Sequence, residues 1–172
     1  RTKAMSEEDI GWLAEDAFPA HVYMKSNLYG HHYVGGEKVG KRTVINIFVE
    51  KALNEEPLTV HEPGTQARDF VHVKDIARAY LCSLGNIIDA DDGARTLPIA
   101  SGDCMSVLGL AETVQGIVKE ELGYEIEIEM VENPRESETV SDDFVVDTDS
   151  ARDAIGFEAE YTVEDAVREM AE

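Results

Sequence analysis

Residues 67–77, Ala-Arg-Asp-Phe-Val-His-Val-Lys-Asp-Ile-Ala, change their periodicity within a few positions. Phe70–Val73 reads as a short apolar strand. A helix follows at once, with Ile76, Ala79, Tyr80 and Leu84 on its apolar face and Asp75 as its expected N-cap. A strand feeding directly into a helix is the unit of an α/β fold with parallel pairing. Arg68 stands at the mouth of that strand. Strand-to-helix junctions are where such folds usually seat a ligand, and arginine grips a phosphate through two parallel hydrogen bonds.

The same alternation runs through the chain. Met5, Ile10, Leu13, Ala14 and Ala17 predict a helix over 2–17, ended by Pro19. Residues 21–28 predict a strand running into Tyr29-Gly30, and residues 31–40 a Gly- and His-rich loop. A helix is expected over 43–54, a strand over 58–60 and a turn at Glu62-Pro63-Gly64. After the central strand and helix come a buried strand over 96–100, a helix capped by Ser106 and reaching Leu122, and a half-exposed strand over 125–131. Residues 132–143 read as irregular. Short helices are expected from Asp149 and from a Thr162 cap.

Composition removes several classes of function. Fifteen Lys and Arg face 36 Asp and Glu, a net charge of −21, so a nucleic acid or an anionic membrane would be repelled. The acids are scattered rather than gathered in a tail, which points to adaptation to high salt and a halophilic source. No apolar run is long enough for a spanning helix, and no signal peptide is visible. Cys82 and Cys104 are spaced for neither a metal site nor a disulfide framework, so both are expected as free thiols of a reducing cytoplasm. His31, His32 and His61 lack metal-ligand spacing, so no metal is expected.

Taken singly, the polar candidates have ordinary alternatives. Asn27, at the carboxyl end of a strand, can bond a sugar hydroxyl or simply make a turn. Arg68 can neutralise a diphosphate or make an exposed ion pair with the adjacent Asp69 or another acid. Arg135, in Asn-Pro-Arg-Glu, can join such a clamp or remain a solvated loop charge.

The order of the pieces is more specific. Asn27-Leu28-Tyr29-Gly30, then Val44-Ile45, then Pro57–His61, then Gly64-x-x-x-Arg68-Asp69-Phe70-Val71-His72-Val73-x-Asp75 resembles the extended short-chain dehydrogenases, and within them the nucleotide-sugar epimerase/dehydratase family. Ser106-Val-Leu-x-Leu-Ala, Pro134-Arg135, Asp147-Thr-x-x-Ala151 and Tyr161-Thr-x-Glu-Asp-Ala continue the likeness to the end. The family's opening Gly-rich dinucleotide loop has no counterpart here. Lys3 stands 24 residues before Asn27, near the spacing of the lysine in the family's catalytic Tyr-x-x-x-Lys. The tyrosine would fall two residues before Arg1, so the chain is expected to be the C-terminal half of a longer one.

The resemblance implies an α/β fold: the C-terminal part of a Rossmann-type parallel sheet plus a small α/β substrate-binding domain. Residues 1–30 would end the dinucleotide-binding domain. Residues 31–172 would be mainly substrate-binding, with the last Rossmann strand and helix near 70–100. It implies NAD as cofactor, touched by Lys3 and Ser26, with Lys3 also a catalytic residue that lowers the tyrosine pKa. It implies a nucleoside-diphosphate sugar as ligand, with Asn27, Val44, His61, Arg68 and Arg135 as its contacts. His61 stands where the family tends to have an aromatic ring, Met24 near a common arginine, and His31 in place of a proline. The implied reaction is 4-epimerisation of a UDP-sugar through a 4-keto intermediate, with this chain inactive alone. Dehydration, decarboxylation and a non-catalytic nucleotide-sugar-binding module are the alternatives. A parallel sheet cut in this way would leave an open strand edge and an uncovered apolar face, so a homodimer or association with the N-terminal half is expected.

Overall fold

The computed structural model of the chain describes residues 2–134 and 144–171. It is a mixed α/β structure whose elements run, in order, α1 (Thr2–Ala14), β1 (Pro19–Lys25), β2 (Asn27–Tyr29), β3 (His31–Val34), β4 (Glu37–Gly40), α2 (Val44–Leu53), β5 (Leu58–His61), β6 (Ala67–His72), α3 (Val73–Ile87), β7 (Gly93–Ile99), β8 (Cys104–Ser106), α4 (Val107–Leu122), β9 (Ile128–Val131), α5 (Asp149–Ile155) and α6 (Val163–Ala171). β1 pairs β7, β2 pairs β6 and β5 pairs β9, all in parallel. The antiparallel pairs are β3 with β4 and β6 with β8.

β6 explains how one strand serves two cores. Five of its six residues are buried, as expected of a strand covered on both faces. Alternation sends Phe70 into a core with Tyr29, Phe48, Leu58, Leu110 and Val114, and Val71 into a second core with Leu97, Ile99, Ile155 and Phe157. Each fully buried aliphatic or aromatic side chain contributes about 1.5–3 kcal/mol. α4 seals the first core through Leu110, Ala111, Val114, Ile117 and Val118, a single helical face. Its ends match the sequence: Ser106 Oγ accepts from Gly109 N at 2.9 Å, and Gly123 ends the helix in the left-handed region. Thr162 likewise caps α6, accepting from Asp165 N at 3.1 Å.

Four local expectations are corrected. The expected strand over 21–28 is two strands, because the chain changes neighbour at Ser26: β1 runs beside β7, whereas β2 runs beside β6. The expected loop over 31–40 is a hairpin. Gly35 and Gly36, at φ +61° and +88°, form its two-residue turn. α1 stops at Ala14 rather than at 17. Asp75 does not cap α3. The helix begins at Val73, and its cap is the His72 ring, whose Nδ1 accepts from Lys74 N at 3.3 Å.

The expected open edge and apolar face are both present. Among the described residues β1 pairs with β7 alone, while Trp12 and Leu13 of α1 and Leu81 and Leu84 of α3, with Ile88 just beyond it, are exposed.

His72 is almost wholly buried. It stacks on Tyr161 at 4.8 Å and meets the edge of Tyr29 at 5.0 Å. Burial lowers its pKa, and Lys74 lowers it further against the opposing pull of Asp75 and Glu169. The unfolded chain therefore takes up the proton first. Stability should be fully present above the ordinary histidine value of about 6.5 and fall as pH drops through that value toward the lowered folded one. Burial lowers His21 and His31 in the same direction. Urea midpoints should fall between pH 7.5 and 5.5 and fall less in His72→Gln; an identical slope in that variant would contradict the assignment.

Candidate functional site

The site is built where β2 and β6 run side by side. Asn27 pairs with Phe70, so alternation puts the Asn27, Phe70 and Arg68 side chains on one face. Asn27 is exposed at the start of β2, with its Nδ2 donating to the Asp69 carbonyl at 3.1 Å. That bond fixes the amide and leaves Oδ1 as an acceptor. Arg68 is half-buried, and its Nη1 donates to the Ala67 carbonyl at 2.8 Å.

Asp69 lies on the opposite face. The alternative in which it pairs with Arg68 is overturned, because its wholly buried carboxylate is taken up elsewhere. It accepts from Ser101 N at 3.1 Å, Ser101 Oγ at 2.8 Å and Gly102 N at 2.7 Å. This anchors the turn leading into β8, which lies against β6 with Met105 opposite Arg68. Only Asp69 and Asp75 are buried among the acids of the described residues. Asp75 has a comparable job, accepting from Glu160 N and Tyr161 N at 3.1 Å each and pairing with Arg78 at 2.6 Å.

Gly30 follows β2 directly and is held by Asn46. Its N–H donates to Asn46 Oδ1 at 3.1 Å, and its carbonyl accepts from Asn46 Nδ2 at 3.0 Å. Gly64 serves the other turn. At φ +74°, an added Cβ there would lie 3.0 Å from Val60 Cγ1, and its carbonyl accepts from Leu108 N at 3.0 Å.

The other candidates stand as follows. Ser26 adjoins Asn27 at the break between β1 and β2, with its Oγ buried and without a partner. Val44 opens α2 and packs against the first core. His61 is the exposed last residue of β5. Lys3 is exposed on α1, a helix packed against β1 and β7. Arg135 lies outside the described residues. Thus Ser26, Asn27 and Arg68 share one strand junction, whereas Lys3 occupies a different layer.

Two features of the site have no local signal in the sequence. Gln66, two residues before Arg68, is buried with its Oε1 unpartnered. Asp69 looked like a surface acid, and only its position in a buried strand reveals its role. Neighbouring groups are chemically quiet. Burial, then the charge of Asp75, raises the Tyr29 hydroxyl, so it stays protonated. Burial and the carboxylates of Asp69 and Asp103 push the Cys104 thiol up, away from nucleophilic form. A strand-end face with a fixed amide, a half-buried guanidinium and unsatisfied polar atoms can hold a polar, anionic ligand.

The profile of the NAD dependent epimerase/dehydratase family matches residues 1–95. UDP-glucuronic acid decarboxylase 5 of Arabidopsis thaliana is 33% identical over 135 residues, covering 75% of this chain and 34% of that protein. A putative UDP-glucose 4-epimerase of Methanocaldococcus jannaschii is 33% identical over 116 residues, covering 66% of this chain and 32% of that protein. The crystal structure of UDP-glucose-4-epimerase from Stenotrophomonas maltophila, with bound NAD and formylated UDP-arabinopyranose, superposes on 99% of this chain and 52% of that one, with a TM-score of 0.78 at 21% identity. That likeness shows the fold. The chain spans about a third of the length of the curated relatives it matches and about half of the solved structure.

Proposed function

We propose a role for this chain, which belongs to the NAD dependent epimerase/dehydratase family: it forms the nucleotide-sugar-binding part of a UDP-sugar 4-epimerase. The observation that carries the reading is the shared face of Asn27 and Arg68 at the β2–β6 junction. Arg68 binds the diphosphate. Its half-burial lowers the local dielectric, and a charged hydrogen bond there is stronger than in water. Asn27, its amide fixed by the Asp69 carbonyl, turns Oδ1 to a sugar hydroxyl. Val44 and His61 border the nucleotide base, and Arg135 is a second cation for the diphosphate.

NAD, when bound, would supply reversible hydride acceptance. Ser26 fits one edge of it, since its buried hydroxyl has no protein partner. Lys3 would hold the cofactor's ribose. The 172 residues contain no Gly-rich strand–helix loop, so this chain's own contribution is binding and orientation of the sugar nucleotide.

Decarboxylation is a second reading, favoured by the longer match to the Arabidopsis protein, 135 residues against 116. Tighter binding of UDP-glucuronate than of UDP-glucose would support it.

Arg68→Ala should weaken UDP-glucose binding by about 1.5–3 kcal/mol, roughly ten- to 150-fold, in calorimetric titration. Arg68→Lys should recover part of that loss but not the two-pronged geometry. Unchanged affinity in Arg68→Ala would refute the clamp.

A further inference from the structure

We propose that the cleft between the β3–β4 hairpin, α2 and the end of α6 binds a phosphorylated small molecule carrying two or more negative charges, at a site separate from Arg68. The cleft holds about 440 Å³, within the size range of small-molecule sites, and its lining includes His31, Lys38, Lys41, Arg42, Glu50 and Met170. None of Asn27, Val44, His61 or Arg68 lines it.

Charge is the first argument. Residues 31–54 hold four cations and two acids, whereas the other 148 residues hold eleven cations and 34 acids. Lys74, Arg78, Lys119, Arg152 and Arg168 each make an ion pair with a carboxylate. Lys38, Lys41 and Arg42 make none among the described residues; the same holds for Lys3, Lys25, Lys51 and Arg95, but none of those four lines the cleft. Three unpaired cations that converge on a concave surface raise the local anion concentration against the repulsive field of the rest.

Construction is the second argument. The two-glycine turn fixes the hairpin that presents Lys38. The carbonyl of Lys41 accepts from Asn46 Nδ2 at 2.9 Å and from Thr43 N at 2.9 Å, and Asn46 also grips both backbone groups of Gly30. The backbone carrying the cations is therefore set before a ligand arrives. His31 adds a ring nitrogen, Nδ1, that is buried without a partner. Glu50 is the one acid in the lining and opposes an anion.

Inorganic pyrophosphate, titrated calorimetrically into the chain in low-salt buffer, tests the site. The wild type should bind saturably. Lys41→Ala combined with Arg42→Ala should weaken binding at least about tenfold, and Glu50→Gln should tighten it. The same titrations in an Arg68→Ala background, which removes the cation proposed for the separate diphosphate site, should still show saturable binding that the double substitution weakens at least about tenfold. All four positions are exposed or half-buried, and an unchanged urea midpoint verifies that each variant folds. Absence of saturable binding by the wild type would overturn the proposal. So would loss of all binding in Arg68→Ala, or binding in that background that survives the double substitution.

Discussion

Gly30→Ala is expected to lower the stability of the chain by about 2–5 kcal/mol, a large share of the roughly 5–15 kcal/mol that holds a domain folded. Two independent costs add. Gly30 sits at φ +85°, where any side chain is strained. A Cβ there would lie 2.1 Å from His72 Nε2 and 2.5 Å from its Cδ2. The ring cannot retreat, because Tyr29 and Tyr161 hold it from two sides and its Nδ1 caps α3. The backbone cannot shift either, because Asn46 bonds both the N–H and the carbonyl of Gly30. The strand that carries Asn27 and the strand that carries Arg68 thus lock together through a glycine and a histidine. Adding His72→Ala should return the steric part of the loss and leave the part due to φ, a coupling that a double-mutant cycle in urea measures. A Gly30→Ala loss below about 1 kcal/mol would contradict the packing described.

Asp69→Ala is expected to cost about 3–5 kcal/mol. It removes the wholly buried acceptor of the Ser101 N–H, the Gly102 N–H and the Ser101 hydroxyl, and so frees a turn whose Ser101 is half-buried and whose Gly102 is exposed. The isosteric Asp69→Asn keeps one acceptor but turns an NH2 toward a donor, so about 1–3 kcal/mol should be lost. Asp69 binds no ligand in this account. It holds the turn into β8, the strand that backs Arg68, so ligand affinity should fall along with stability. A variant as stable as the wild type in urea melts would show that the turn does not depend on this carboxylate.

What the sequence made legible was whatever depends on near neighbours or on a long pattern. Ser106 and Thr162 cap their helices as their positions imply, and of the apolar face expected from spacing, Leu108, Ala111, Val114 and Val118, the last three are buried in α4 while Leu108 is half-buried and Leu110 is buried instead. The order of motifs led to the family. The misses have a common cause: the deciding partner is remote or the local signal is ambiguous. Asp75 looked like a cap because it precedes an apolar helix face, yet its ligands are backbone groups 85 and 86 residues away. Asp69 looked like a surface acid until the buried strand turned it inward. The hairpin over 31–40 was hidden because two histidines and a tyrosine give no clean alternation, although Gly35-Gly36 is a proper two-residue turn. Of the site, Asn27 and Arg68 were visible as residue types at strand ends. Their common face follows only from the register of β2 with β6.

The central claim is that the β2–β6 junction holds a sugar nucleotide through its diphosphate. Titration of the isotopically labelled chain with UDP-glucose, followed through backbone amide shifts, tests it most directly. Saturable shifts concentrated at Asn27, Arg68, Val44 and His61, absent when glucose alone is added, are the predicted result. No shift on adding UDP-glucose, or shifts confined to residues away from that junction, would contradict it.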